Sequence, residues 1–190
     1  IAAAFTLGVF ASTAQASVMA VIDSGTDLKH KELASKAWVN ALEIEANDRD
    51  EDKNGYPDDV NGWNFAENNN QLVDYKYLPL LTPDMKRFFD IQVKYYLGKA
   101  SKEDVDWVRA KIEDKQIIKN AQTYGNFMHG THVAGITAKN NADVKLLGVK
   151  LIPTEVGLPG DKEGEDGSNG GEAPSVTPSA SVVNIADLVK

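Results

Sequence analysis

Val18-Met19-Ala20-Val21-Ile22 is an unbroken apolar run of strand length, closed abruptly by Asp23-Ser24-Gly25-Thr26-Asp27. Such a run predicts a strand buried on both faces of a parallel sheet. A carboxylate just past the C-terminal end of that strand lies where open α/β sheets place their ligand crevice. Residues 31–42 hold enough Ala, Leu, Lys and Glu for a short helical stretch. Thr82-Pro83 gives a helix start with proline in the first turn, Phe88, Phe89, Ile91, Val93, Tyr95, Tyr96 and Leu97 continue it, and Gly98 ends it. Ser101, with Asp104 three residues on, offers a second N-cap, followed by a helical stripe of Val105, Val108, Ile112, Ile117 and Ile118. The two together predict a helical hairpin, either plain decoration or a cover over a cleft.

His129-Gly130-Thr131-His132-Val133-Ala134-Gly135-Ile136 reads as the first turn of a further helix. Gly130, Ala134 and Gly135 carry almost no side chain, so its bare face can lie close to a sheet, with His129 at the helix entrance. One alternative is a pair of buried histidines one turn apart. A zinc site ranks last, because the metalloprotease pattern needs histidines four apart with a Glu between them.

Net charge adds a constraint on partners. At −8 the chain is not a nucleic-acid binder and fits a soluble protein or a cation binder. It has no cysteine, which removes disulfides and thiolate metal sites. Residues 1–16 are apolar, small and uncharged and close with Ala14-Gln15-Ala16. This is the anatomy of a secretory signal lacking its basic n-region, too short for a membrane span, and it predicts a secreted or periplasmic protein. Cleavage after Ala16 would leave no room for an N-terminal propeptide, and the numbering reads as starting inside a precursor.

Val-Ile-Asp-Ser-Gly-Thr-Asp at 21–27, followed by His30-Lys31-Glu32-Leu33, and His-Gly-Thr-His-Val-Ala-Gly at 129–135 resemble the subtilisin-like serine proteases, the subtilases of peptidase family S8. Both signatures stand in the Asp-before-His order of that family. The resemblance implies that Asp23 is the carboxylate of an Asp/His/Ser triad and His129 its general base, with His132 structural. It implies a serine endopeptidase acting on polypeptide substrates. The family's Gly-Thr-Ser-Met-Ala-like turn has no match: Ser168, Ser175, Ser179 and Ser181 lie in Gly/Pro/Glu-rich sequence, and the oxyanion Asn has no counterpart. Lys145 to Ile152 resembles the family's next parallel strand.

Between the two signatures, Glu43 to Asp59 is densely acidic. Asp50, Asp52, Asn54 and Asp58 place oxygens at positions 1, 3, 5 and 9 of an EF-hand-like loop, with Gly55 at 6 and the Tyr56 carbonyl at 7. Asn61 replaces the bidentate Glu at position 12, and Asp59 is a possible substitute. A similar loop precedes a Gly-Trp-Asp-Phe-like strand in some subtilases, here Gly62-Trp63-Asn64-Phe65, and that context favours structural Ca²⁺ over a merely solvated loop. The family also suggests a second site using Glu32 with Asn140 or Asn141.

The expected fold is α/β, a subtilisin-like parallel sheet flanked by helices and carrying the inserted hairpin at about residues 72–122. Residues 1–16 are assigned to the signal, 17–152 to the N-terminal part of a catalytic domain, and 153–190 to a Gly/Pro/Ser/Glu-rich loop with the start of another element. The rival function is a catalytically inactive calcium-binding or interaction protein on the same scaffold.

Overall fold

The structure, a computed structural model, describes residues 17–157. Strands β1 (Ser17–Asp23), β2 (Gly62–Asn64) and β3 (Val144–Lys150) form a parallel sheet in the order β1-β3-β2. Helices α1 (Pro83–Tyr96), α2 (Lys102–Lys111) and α3 (Lys115–Ala138) lie between β2 and β3 in the chain. The fold is α/β, as the sequence suggests. The signal-like segment and the four serines at 168–181 lie outside the described residues.

Alternation along the strands sorts the core into two layers. Val21 packs with Val144 and Leu146 of β3 and with Ala134 of α3 on one face. Trp63, Leu147 and Val149 form the other layer, covered by Trp38, Tyr56 and Phe65. Over β1 that second cover stops. Val18 is 45% and Ile22 50% exposed, so burial on both faces is not what the described residues give β1.

The expected helix over 31–42 is reduced to a single 3-10 turn, Ala34–Lys36. A long-range interaction overrides the local propensity: Ala37 bridges to Leu146, and the Trp38 N–H donates to the Leu146 carbonyl at 2.8 Å. Extending here lets Trp38 lie on the sheet.

The hairpin starts where its caps place it. The Thr82 hydroxyl accepts the Met85 N–H at 3.2 Å, and Ser101 with Asp104 makes a reciprocal capping box. Its end differs from the expectation. α2 stops at Lys111, and Ile117 and Ile118 belong to α3, capped by Asp114. His129 therefore sits well inside a 24-residue helix rather than at its entrance. Tyr124 and Phe127 explain the added turns, because their rings, 5.7 Å apart, meet Phe89 and Tyr77 at 5.9 and 6.0 Å. Aromatic pairs at such separations contribute beyond their buried area.

The bare face of α3 is narrower than expected. Gly130 and Ala134 are buried against β1 and its turn, while Gly135 faces open space. At Gly130 a Cβ would strike the Gly25 carbonyl oxygen and come within 3.0 Å of Asp23 Cβ. Gly130→Ala should lower unfolding free energy by about 1–3 kcal/mol as α3 lifts from the turn. Urea titration reads this, and an unchanged midpoint would show that the turn yields freely.

Candidate active site

Asp23 is the last residue of β1, at the strand end where open α/β sheets place their ligand crevice, and a loop follows it. Gly25 enters this loop at φ +118°, a conformation that side-chain-bearing residues rarely adopt. Across the turn, His129 Nδ1 lies 2.7 Å from Asp23 Oδ1. Opposite charges or a donor and a carboxylate at this distance form a strong, oriented bond. Asp23 is 8% exposed, whereas the His129 side chain is 64% exposed. The imidazole is thus held from the protein side with its second nitrogen free of any hydrogen bond among the described residues.

Several bonds fix the carboxylate. The Ser24 N–H donates to Asp23 Oδ1 at 2.8 Å, and the Ser24 hydroxyl lies 3.0 Å from the same oxygen. Burial by itself pushes the Asp23 carboxyl up, but the bond from His129, the two from Ser24 and the His129 charge together hold it below the usual carboxylate range. Lys150 pairs in register with Asp23 yet does not neutralise it. Its ammonium, on a residue only 2% exposed, bonds Glu67 Oε1 at 2.9 Å instead. Asp23 is left to the imidazole.

His132 is exposed, as is His129, so the pair is not a buried one. Neither histidine joins a metal-capable group among the described residues.

The acidic loop converges differently from the EF-hand spacing. Glu43, Asp52 and Asp59 bring one carboxylate oxygen each within 4.8 Å of one another. Asp50 instead accepts the Asn54 and Gly55 N–H groups at 3.1 and 2.8 Å, which builds the turn. Asp58 accepts the Asn47 and Asp48 N–H groups at 3.1 and 2.9 Å, away from the cluster. Asn54 Oδ1 accepts the Tyr56 N–H at 2.9 Å, while its Nδ2 donates to Asp59 at 2.8 Å. Tyr56 packs its ring on Trp63 and Phe65, with centroids 5.3 and 5.4 Å away. Glu43, upstream of the loop, escaped the spacing template. Asp59 is fully buried, and burial first, then the Asp52 and Glu43 charges, push its carboxyl up despite bonds from Asn54 and Asn40. At the suggested second site, Lys36 Nζ already donates to the Asn141 and Ala142 carbonyls at 2.9 and 2.6 Å. A fixed ammonium there opposes another cation.

Because the folded-state pKa of Asp23 is depressed, its ionisation stabilises the fold above the ordinary aspartate value of about 3.9. That contribution disappears as pH falls through the lowered folded value. Asp23→Asn should remove this part of the acid limb of melting temperature against pH. An unaltered acid limb would contradict it.

No curated protein matches the chain. A sequence model described as the subtilase family matches residues 14–186, spanning the Asp23 turn, the acidic loop, α1, α2 and the His129 helix. With that match over most of its length, the chain belongs to the subtilase family, a family of serine peptidases.

Proposed function

We propose that this chain supplies the acid–base half of a serine endopeptidase site, with Asp23 orienting the imidazole and His129 acting as general base. The observation that carries it is the 2.7 Å Nδ1–Oδ1 bond between a buried aspartate and an exposed histidine. Held by Nδ1, the imidazole presents Nε2 outward, where it would take the proton of an attacking serine and return it to the leaving amine. The Asp23 charge stabilises the imidazolium formed in that step. Polypeptides are the substrate, and the leader-like residues 1–16 support export to a secreted or periplasmic location. Among the described residues no helix is long and apolar enough to cross a membrane.

The test is proteolysis of casein by the protein as its own gene expresses it. His129→Ala should lower kcat about 10⁶-fold and Asp23→Asn about 10⁴-fold, with the fold retained by circular dichroism. Wild-type-like cleavage in either variant would refute the assignment. Purified residues 17–190 should neither label with a fluorophosphonate nor cleave casein, because Ser168, Ser175, Ser179 and Ser181 do not stand in a Gly-Thr-Ser-Met-Ala-like sequence. Labelling lost in Ser168→Ala or Ser175→Ala would reveal a nucleophile in the Gly/Pro-rich region.

Calcium is the cation proposed for the acidic loop. Glu43, Asp52 and Asp59 offer only oxygen donors, as hard divalent cations require, and Asp59 is a buried carboxyl whose charge its neighbours oppose. A bound Ca²⁺ would offset that repulsion and pin the 43–59 loop beneath Trp63. Millimolar Ca²⁺ should raise the melting temperature by several degrees, and Asp59→Asn or Asp52→Ala should abolish the rise. A calorimetric titration without heat at that concentration would rule the site out.

A further inference from the structure

The segment between β2 and α1 reaches the loops around the site through two tyrosine hydroxyls. Tyr75 donates its hydroxyl to Asp27 Oδ1 at 2.9 Å, and Tyr77 donates to Glu155 Oε1 at 2.8 Å. The first bond holds the loop after β1 and the second the loop after β3. Both loops leave the same end of the sheet, since β1 and β3 are parallel neighbours. Asn126, on the turns that extend α3 before His129, joins the same two loops from the helix side. Its Nδ2–H donates to the Thr154 carbonyl at 3.1 Å, and its own carbonyl accepts the Ser24 hydroxyl at 2.6 Å. Thr154 is 3% exposed, so its carbonyl belongs to a packed loop rather than a free one.

Asn126 stands three residues before His129 and four before Gly130, on the side of α3 that meets the Asp23 turn. We propose that Asn126 is a positioning residue for the Asp23–His129 pair, tying the helix that carries the histidine to the turn that carries the carboxylate. The proposal rests on the catalytic reading of that pair. Ser24 is the intermediary. Its single hydroxyl proton has two oxygens in reach, the Asn126 carbonyl at 2.6 Å and Asp23 Oδ1 at 3.0 Å, and the shorter contact takes the larger share. The carboxylate is thereby indexed to α3 through its neighbour, one turn from the imidazole it must meet. A shift of α3 by a fraction of an ångström would otherwise lengthen a 2.7 Å bond directly.

The test uses the 190-residue chain and proton NMR of the His129 Nδ1–H, which a short bond to a carboxylate moves far downfield. Asn126→Asp keeps the side-chain shape and removes the donor to Thr154, so the helix turn whose backbone carbonyl holds Ser24 loses its side-chain anchor. It should move the Nδ1–H resonance upfield or lose it to exchange, while circular dichroism stays unchanged. Asn126→Ala, which removes the same donor without adding a charge, should shift the resonance in the same direction and serves if Asn126→Asp fails to fold. Tyr95→Ala, at an exposed position on α1, should change nothing. In the proteolytically active protein, Asn126→Asp should lower kcat about 10- to 100-fold with KM unchanged. A resonance that stays in place in a folded Asn126→Asp or Asn126→Ala variant would overturn the proposal, as would its absence from the wild type or an equal shift in Tyr95→Ala. Loss of proteolytic activity in every form of the protein would count against the catalytic reading, and the NMR result would still decide whether Asn126 positions the pair.

Discussion

The close approach of α3 to the Asp23 turn is the constraint on which the rest depends. A helix backbone can touch a turn carbonyl only where no Cβ intervenes, and Gly130 is that place. Once backbone meets backbone there, the preceding residue, His129, has little choice of height above Asp23. The turn is constrained in the same way, because a Cβ on Gly25 would run into the Leu72 carbonyl. Leu72 also lies against Gly148 on β3, so the loop at the start of the insert is packed on the sheet. The bond between carboxylate and imidazole depends on two backbone approaches, at Gly130 and Gly25, and on the Leu72 side chain seated on Gly148.

Charge is distributed to suit that bond. The strand end holds a lysine, Lys150, beside Asp23 in register, and a direct ion pair would have competed with the histidine. Glu67 removes that competition by accepting the buried ammonium, and Asn64 supports Glu67 with a 2.8 Å bond from its Nδ2. Only the lysine of this pair is buried, so removing the exposed Glu67 would leave the Lys150 ammonium uncompensated inside the protein. The arrangement keeps the positive charge fixed and away from the imidazole.

Much of this was legible in the chain because it depends on neighbouring residues. Asp23 and His129 announce themselves by the glycines and small residues that their backbone environments require. The caps at Thr82 and Ser101 are local hydrogen-bonding chemistry, and both helices start where those residues stand. What was not legible depends on distant partners. Ala37 and Trp38 extend because Leu146 supplies a bonding partner more than a hundred positions away, which no propensity reports. The early start of α3 depends on Phe89 and Tyr77 meeting its aromatic side. Glu43 could not be found by counting oxygens from Asp50, because the turn at 46–48, with Ala46 and Asp48 at positive φ, folds it back onto the loop. Asp58 satisfied the spacing but is consumed in holding that very turn.

The length of α3 changes what the insert can do. Had a helix begun at His129, its first N–H groups would lack helical partners and the histidine would ride on a fraying end. Within a 24-residue helix the same residue has hydrogen-bonded turns on both sides. Its position is then set at two separated points, by Gly130 on the acid turn and by Tyr124 and Phe127 packed on Phe89 and Tyr77. A rod held at two points resists tilting in a way that a rod held at one does not. The segment carrying α1 and α2 therefore belongs to the mechanical support of the site even though those helices lie outside the sheet. Its own stability feeds directly into the geometry of the Asp23–His129 bond.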